Sequence, residues 1–398
     1  MKIVLFYTDT ESFNFFTDQL AEQLNIRGHE VFILDLMNPP AEDPHSYTNF
    51  VQFASHKIDI AVCFDGMCIR DELLIGIWDA WNTIVVDILM DPPLRFHPTL
   101  KKHSKNYLLF CCDRDHVEYV NRYFSDTVSH VAFMPHVGTV PKQQISVKPY
   151  EKRKFDILFS ATYYRPENKL TEMEQVFCDN KDMQKFYHSM YRNLIEDSAL
   201  TTEQAVFYTL QQLGWSVPDD TLKTVFRCAE YVDWAIRMYQ REQVVSVLAK
   251  AGLELYLLGR GWENHSSSKY PNVHRLTDRI PYAQTLTYMA DAKINLNVFP
   301  WFKAGTHDRI FNTLLQHSLP LTDSSRWVDE HFTDGKDIVL YDLKHLSKLP
   351  AITEKLLENP SVAEDIIENG YQKVLREFTW CNCTDWILKA VCSYKSLL

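Results

Sequence analysis

The sequence predicts an α/β protein of two Rossmann-like domains facing each other across a cleft. Three observations lead there. At 398 residues the chain exceeds an ordinary domain of ~100–200 residues. Short apolar runs alternate with amphipathic segments in two separate stretches, the pattern of parallel sheets covered on both faces. A charged, proline-containing connector over 138–154 divides the two.

In the first stretch, Ile3 to Tyr7 reads as a strand. Ser12 to Arg27 carries Phe13, Phe16, Leu20 and Leu24 at helical spacing and stops at Gly28. Further strands are expected at 30–36, 59–64, 83–89, 107–112 and 130–134, with helices at 70–82 and 114–124. The first domain is placed at 1–145 and the second at 155–380. The second opens with the strand Phe155 to Ser160. Helical patterns then dominate 166–252, including Thr201-x-x-Gln204 as a capping box and a helix start at Pro218. We read this stretch as a helical insertion. Alternation resumes with strands at 253–258, 293–299, 319–322 and 338–341. Helices are expected at 282–291, from about Thr306, at 343–358 and at 361–378. A last helix over 381–398 is expected to return to the first domain.

Composition narrows the function. Hydrophobic residues at 46% and charged residues at 23% exclude general disorder. The formal net charge of −11 disfavours nucleic acid as a partner. No apolar run is long enough to span a membrane. Nine cysteines, an odd number without a secretion signal, suggest reduced thiols and a cytoplasmic location. Asp113-x-Asp115 reads as a helix N-cap better than as a metal site, and no metal is expected. P-loop, zincin and α/β-hydrolase motifs do not occur. Only 11 glycines are present, so any glycine-dependent site has few places to lie.

In parallel sheets, ligands bind beyond the carboxyl ends of strands. The second domain offers Pro300-Trp301-Phe302-Lys303-Ala304-Gly305-Thr306-His307-Asp308-Arg309 there. It combines a helix start with Lys303, His307 and Arg309, a pattern suited to a diphosphate. Gly259-Arg260-Gly261 follows another strand and is either a close-approach site or a tight turn. Asp323 is either a helix N-cap, the default reading, or an acceptor for a ligand hydroxyl. In the first domain, strand ends deliver Asp9, Asp65, Asp91, Asp113 and His136.

Several segments together resemble the glycosyl transferases group 1 family, and most closely its spore-maturation CgeB-like branch. They are Ile294-Asn295-Leu296-Asn297-Val298, Gly305-Thr306-His307-Asp308-Arg309-Ile310-Phe311-Asn312, Leu319-Pro320-Leu321-Thr322-Asp323 and Phe332-x-Asp334-Gly335. Gly259-x-Gly261-Trp262, Ile366-x-x-x-Gly370-Tyr371 and Phe378-Thr379-Trp380 belong to the same resemblance. Asp91-Pro92-Pro93, Asp113 and Met134-Pro135-His136 are similar to that branch's first domain. The resemblance implies a GT-B fold and transfer of a sugar from a nucleotide-sugar donor, a substrate and not a cofactor, to an unidentified acceptor. It places Arg309 near the donor diphosphate. Asn312 stands where many members carry a ribose-binding Glu, and Ala161-Thr162 where many have Gly.

The expected donor residues are therefore Lys303, Gly305, His307, Asp308, Arg309, Asn312, Asp323, Gly259 and Gly261. An inverting enzyme also needs a general base, for which Asp91, Asp9 and His136 are candidates. Two other functions fit the same fold, a nucleotide-sugar epimerase and a non-catalytic binding module. The second would require aromatics of the insertion, such as Phe186, Tyr187 and Tyr191, to face solvent.

Overall fold

A computed structural model describes residues 1–37, 44–55, 57–102, 104–128, 130–141, 148–299 and 301–396. Pro300 and connector positions 142–147 therefore lie outside the described residues. The chain forms two compact units. The first comprises Met1–Thr139, Pro281–Ala283 and Glu377–Leu398; the second comprises Val140–Ile280 and Gln284–Arg376.

The first unit holds six parallel strands: β1 (Lys2–Tyr7), β2 (Glu30–Asp35), β3 (Ile60–Phe64), β4 (Ile84–Leu89), β5 (Tyr107–Cys111) and β6 (His130–Phe133). Their order is β2-β1-β3-β4-β5-β6. In register, Lys2 opposes Glu30 and Val85 opposes Tyr107. Every residue of β3, β4 and β5 is buried, which is why these strands read as apolar runs, broken only in β4 by Asp87, which accepts from Gly66 N and the Tyr107 hydroxyl. The helix Glu11–Ile26 buries Phe16, Leu20 and Leu24, three residues of the stripe read from spacing. The helix Pro44–Ala54 was not expected, because its polar and aromatic residues give no clean stripe.

Residues 377–398 complete this unit. Thr379 and Asn382 form a capping box at the start of the helix Trp380–Lys395. Trp380 packs on Phe16 (ring centroids 5.3 Å apart) and Phe64 (6.4 Å), and its indole N–H donates to Thr139 Oγ1 at 3.1 Å. Gly138 N also donates to the Phe378 carbonyl.

The second unit holds β7 (Phe155–Ser160), β8 (Leu255–Leu258), β9 (Val273–Arg275), β10 (Ala292–Asn297), β11 (Leu319–Thr322) and β12 (Val339–Leu340). Their order is β12-β11-β10-β7-β8-β9, again all parallel. Strand β9 escaped the sequence reading, because three residues including a histidine and an arginine carry no apolar run. Between β7 and β8 stand five helices, Pro166–Val176, Lys181–Glu196, Thr202–Leu213, Asp219–Cys228 and Glu230–Lys250. The Thr201–Gln204 capping box is present as read. Phe186 and Tyr187 are fully buried and Tyr191 is half-buried, so the aromatics singled out for a binding-module reading do not face solvent, whereas Phe207 and Tyr208 of the same insertion do.

Replacing Trp380 with Ala should destabilise the protein by about 3–5 kcal/mol, the usual cost of emptying a large aromatic site. Denaturant unfolding measures this, and a loss below ~1 kcal/mol would show that the first unit does not depend on residues 377–398.

Candidate functional site

The site is built where three strands of the second unit end. Asn297, the last residue of β10, is 1% exposed and joins three elements. Its amide donates to Thr322 Oγ1 at the end of β11 (2.9 Å). Its Oδ1 accepts from Arg309 Nη1 at 2.6 Å, and its carbonyl accepts from the Tyr341 hydroxyl at 2.7 Å. Two residues on, Phe299 N donates to Asp323 Oδ1 at 2.7 Å.

Asp323 therefore does not cap the following helix, contrary to the default expectation. Ser325 does, accepting from Val328 N at 3.1 Å and donating to the Gly305 carbonyl at 2.6 Å. With Arg326 N donating to the Lys303 carbonyl, this ties the 303–305 loop to the 323–326 loop. Asp323 is left buried beside Lys303. Burial is the main cause that pushes its carboxyl up to about 7, against the opposing pull of Lys303 and the Phe299 N–H.

Lys303 and Asp323 line one pocket of about 430 Å³ with Ser324, Arg326, Tyr341 and Lys344. Ser198 and Ala199 of the insertion form another part of its wall, beside the Lys344–Asp197 ion pair (2.9 Å). Hydroxyls, cations and carboxylates thus converge on a concave surface at strand carboxyl ends.

The remaining expected donor residues fall into two groups. Gly305, His307, Asp308, Arg309 and Asn312 do not line this pocket, although the Gly305 carbonyl bonds Ser325 of its wall. The His307 ring caps the helix Asp308–Leu315, with Nδ1 accepting from Arg309 N at 3.2 Å, and Ile310 N donates to the His307 carbonyl. His307 thus already occupies two of the N–H groups that the sequence reading offered to a diphosphate. Asn312 is 1% exposed and donates to Asp308 Oδ2 at 3.3 Å.

Gly259 and Gly261 serve the fold. Their φ angles are +128° and +86°, and a Cβ would meet the Ala161 carbonyl at 2.4 Å and the Tyr163 carbonyl at 1.9 Å. Their absence of side chains lets the loop after β8 run against residues 161–163, where Tyr163 N donates to the Arg260 carbonyl and Trp262 Nε1 to the Ala161 carbonyl.

Sequence reading missed two arginines of the helix Glu230–Lys250. Arg241 is 2% exposed and donates from Nη1 to the Thr162 carbonyl at 2.5 Å. Its guanidinium and that of Arg309 lie 6.0 and 5.8 Å from the same Phe159 ring. Arg237 lies 4.0 Å above the Trp301 ring. The available signal was the i,i+4 spacing of two like charges, which ordinarily repel on a helix.

In the first unit, the three candidate bases do not converge. Asp9 follows β1, Asp91 follows β4 and His136 follows β6, so the outer two are four strand spacings apart, about 19 Å. Asp9 is exposed, whereas His136 is buried. Asp91 is half-buried and pairs with Arg95 at 3.1 Å. Asp65, at the end of neighbouring β3, adopts φ +51° and accepts from Met90 N at 2.8 Å. Burial first and then the Asp91 charge push its carboxyl well up. Asp113 caps its helix through Asp115 N (2.7 Å), as read from sequence.

Residues 240–389 match the family described as Glycosyl transferase-like. No curated protein sequence matches the chain. Among solved structures, alpha-glucosyltransferase in complex with UDP aligns with a TM-score of 0.59 at 11% identity, covering 98% of this chain and 100% of that one. An alpha-glucosyltransferase in complex with UDP and a 13-mer DNA aligns at 0.56 with 10% identity, covering 98% and 99%. Sucrose-phosphate synthase from Thermosynechococcus elongatus aligns at 0.54 with 9% identity, covering both chains completely. The two parallel six-stranded sheets are thus the GT-B fold, and Lys303, Asp323 and Tyr341 of the pocket lie within the segment that matches the Glycosyl transferase-like family. Among the described residues, no helix is long and apolar enough to cross a membrane.

The Asp323 carboxyl gives a pH test. Its folded pKa of about 7 exceeds the unfolded value of ~3.9, so its contribution is complete below pH ~4 and lost as pH rises through about 7. Urea unfolding of the ligand-free protein should lose roughly 1–3 kcal/mol from this group between pH 5 and pH 8. Asp323→Asn should remove that slope; an unchanged profile would contradict the buried, proton-binding carboxyl.

Proposed function

We propose that this protein transfers a sugar from a nucleotide-sugar donor to an acceptor, with the donor held at the carboxyl ends of β10, β11 and β12 and no metal needed for departure of the diphosphate. One observation carries the reading. Within the family-matched segment, Lys303 and Asp323 meet in one pocket, and Asn297, whose carbonyl accepts from the pocket-lining Tyr341, holds Arg309. The departing nucleoside diphosphate accumulates negative charge, and cations already oriented before the reaction stabilise it without reorganisation. Arg309 is held by a neutral amide, so its own charge is not cancelled by Asn297. Lys303 supplies a second cation. Asp323, poised between protonated and ionised forms, can accept from or donate to a donor hydroxyl.

UDP is the first nucleotide to test, because the alpha-glucosyltransferase aligned above was solved with it. The motifs around Gly305–Asn312 and Phe332–Gly335 support assignment to the CgeB-like branch. For an inverting reaction we assign the general base to Asp91, which lies at the end of a central strand and is oriented by Arg95. No cofactor enters this scheme, and its chemistry suits a cytoplasmic supply of activated sugars.

A panel of nucleotide sugars, followed by thermal protection and release of nucleoside diphosphate, tests the proposal. At least one donor should raise the melting temperature. Arg309→Ala should lower kcat by about 10²–10³-fold, as expected for removing one charge-stabilising contact. An Arg309→Ala enzyme with wild-type kcat would sink this mechanism. An isomerised donor without release of nucleoside diphosphate would instead establish an epimerase.

A further inference from the structure

The helix Glu230–Lys250 places Arg237 and Arg241 four residues apart, on one face. Arg241 is nearly inaccessible, yet its Nε finds no hydrogen-bond partner. The charged groups that act on it most strongly are Arg237 and Arg309, both cations, with only the Tyr164 hydroxyl opposing them. A guanidinium does not shed its proton as a lysine or carboxyl can, so burial cannot be relieved by neutralisation. Such a group calls for an anion.

The surroundings specify which kind. Arg241 and Arg309 share the Phe159 ring, so at most about 12 Å separates their guanidiniums. Arg237 sits on Trp301, in the loop that carries Lys303. The Ser160 hydroxyl, at the carboxyl end of β7, is also buried without a partner. Thr162, whose carbonyl Arg241 holds, is exposed. Several guanidiniums spread over this distance fit an oxyanion with more than one charged centre, and the planar guanidinium fork matches phosphate oxygens.

We propose that Arg237 and Arg241 of the helical insertion complete, with Arg309, an oxyanion site for the two phosphates of a diphosphate ligand. The inference rests on the nucleotide-sugar reading for the identity of that ligand. It gives the helix Glu230–Lys250 a role in the donor site: packed on the core of the sheet, it supplies two further cations. In the ligand-free protein these like charges oppose one another, so the site is held at the expense of stability.

Calorimetry and thermal melts of the full chain with inorganic pyrophosphate, UDP and uridine test this, using wild type, Arg241→Met and Arg237→Gln. Pyrophosphate and UDP should each raise the wild-type melting temperature. Both variants should bind them at least tenfold more weakly while binding uridine as wild type does. Ligand-free Arg241→Met should melt at or above wild type, whereas an arginine serving only structure would leave a less stable protein. Arg237, which is partly exposed, gives a second variant that does not depend on core packing.

Loss of pyrophosphate binding with UDP binding intact would assign the site to a separate phosphate and overturn the donor role. Wild-type affinities in both variants, no wild-type response to either anion, or a ligand-free Arg241→Met that melts well below wild type would each overturn the site itself. If anion binding is lost as expected but no nucleotide sugar is turned over by wild type, the glycosyl-transfer reading falls and the oxyanion site stands. If both variants transfer sugar at wild-type rates, this inference alone falls.

Discussion

The buried amide of Asn297 sets the geometry on which the candidate site depends. It stands at the end of the strand paired with both β7 and β11. Its amide nitrogen, amide oxygen and backbone carbonyl all engage partners from different elements. In a low-dielectric interior such bonds are strong, and an unmet one is costly, so the strand ends and the Arg309 side chain are locked together. The choice of an amide also matters. A carboxylate there would pair with Arg309 charge for charge, whereas Asn297 orients the guanidinium through a neutral oxygen.

A second constraint reaches the same place from the other side of β7. Gly259 and Gly261 allow the chain after β8 to lie against residues 161–163. That contact holds Thr162, whose carbonyl receives Arg241. The glycines act through backbone packing and through the residues they position. A deficit of glycine across the whole chain therefore coexists with a tight pair where two backbones touch.

Much of this was legible before any coordinates. Strands such as Ile60–Phe64 and Ile84–Leu89 are buried on both faces and announce themselves as apolar runs. Caps at Asp113 and Thr201 follow from side chains that accept from nearby N–H groups. Lys303 and Asp323 could be singled out because both follow strands of a parallel sheet, and both line the pocket. Other features depend on contacts distant in sequence. Asp323 resembles a cap locally, but Phe299, 24 residues earlier, claims its carboxylate. Asn312 donates to Asp308 of its own helix, a contact that sequence alone does not announce. Arg237 and Arg241 gain meaning only when their helix meets β7 and the Trp301 loop. The carboxylates of the first unit were individually visible, but the closeness of Asp65 to Asp91 is set by the pairing of β3 and β4.

The discontinuity of the first unit has a consequence for its biosynthesis. Six strands and their helices are complete by Thr139, but the helix carrying Trp380 begins about 240 residues later. At about 5–20 residues per second on the ribosome, that interval amounts to tens of seconds. During it Phe16 and Phe64 emerge without the indole that covers them in the native state. The amino-terminal unit is thus finished only after the second unit has been made.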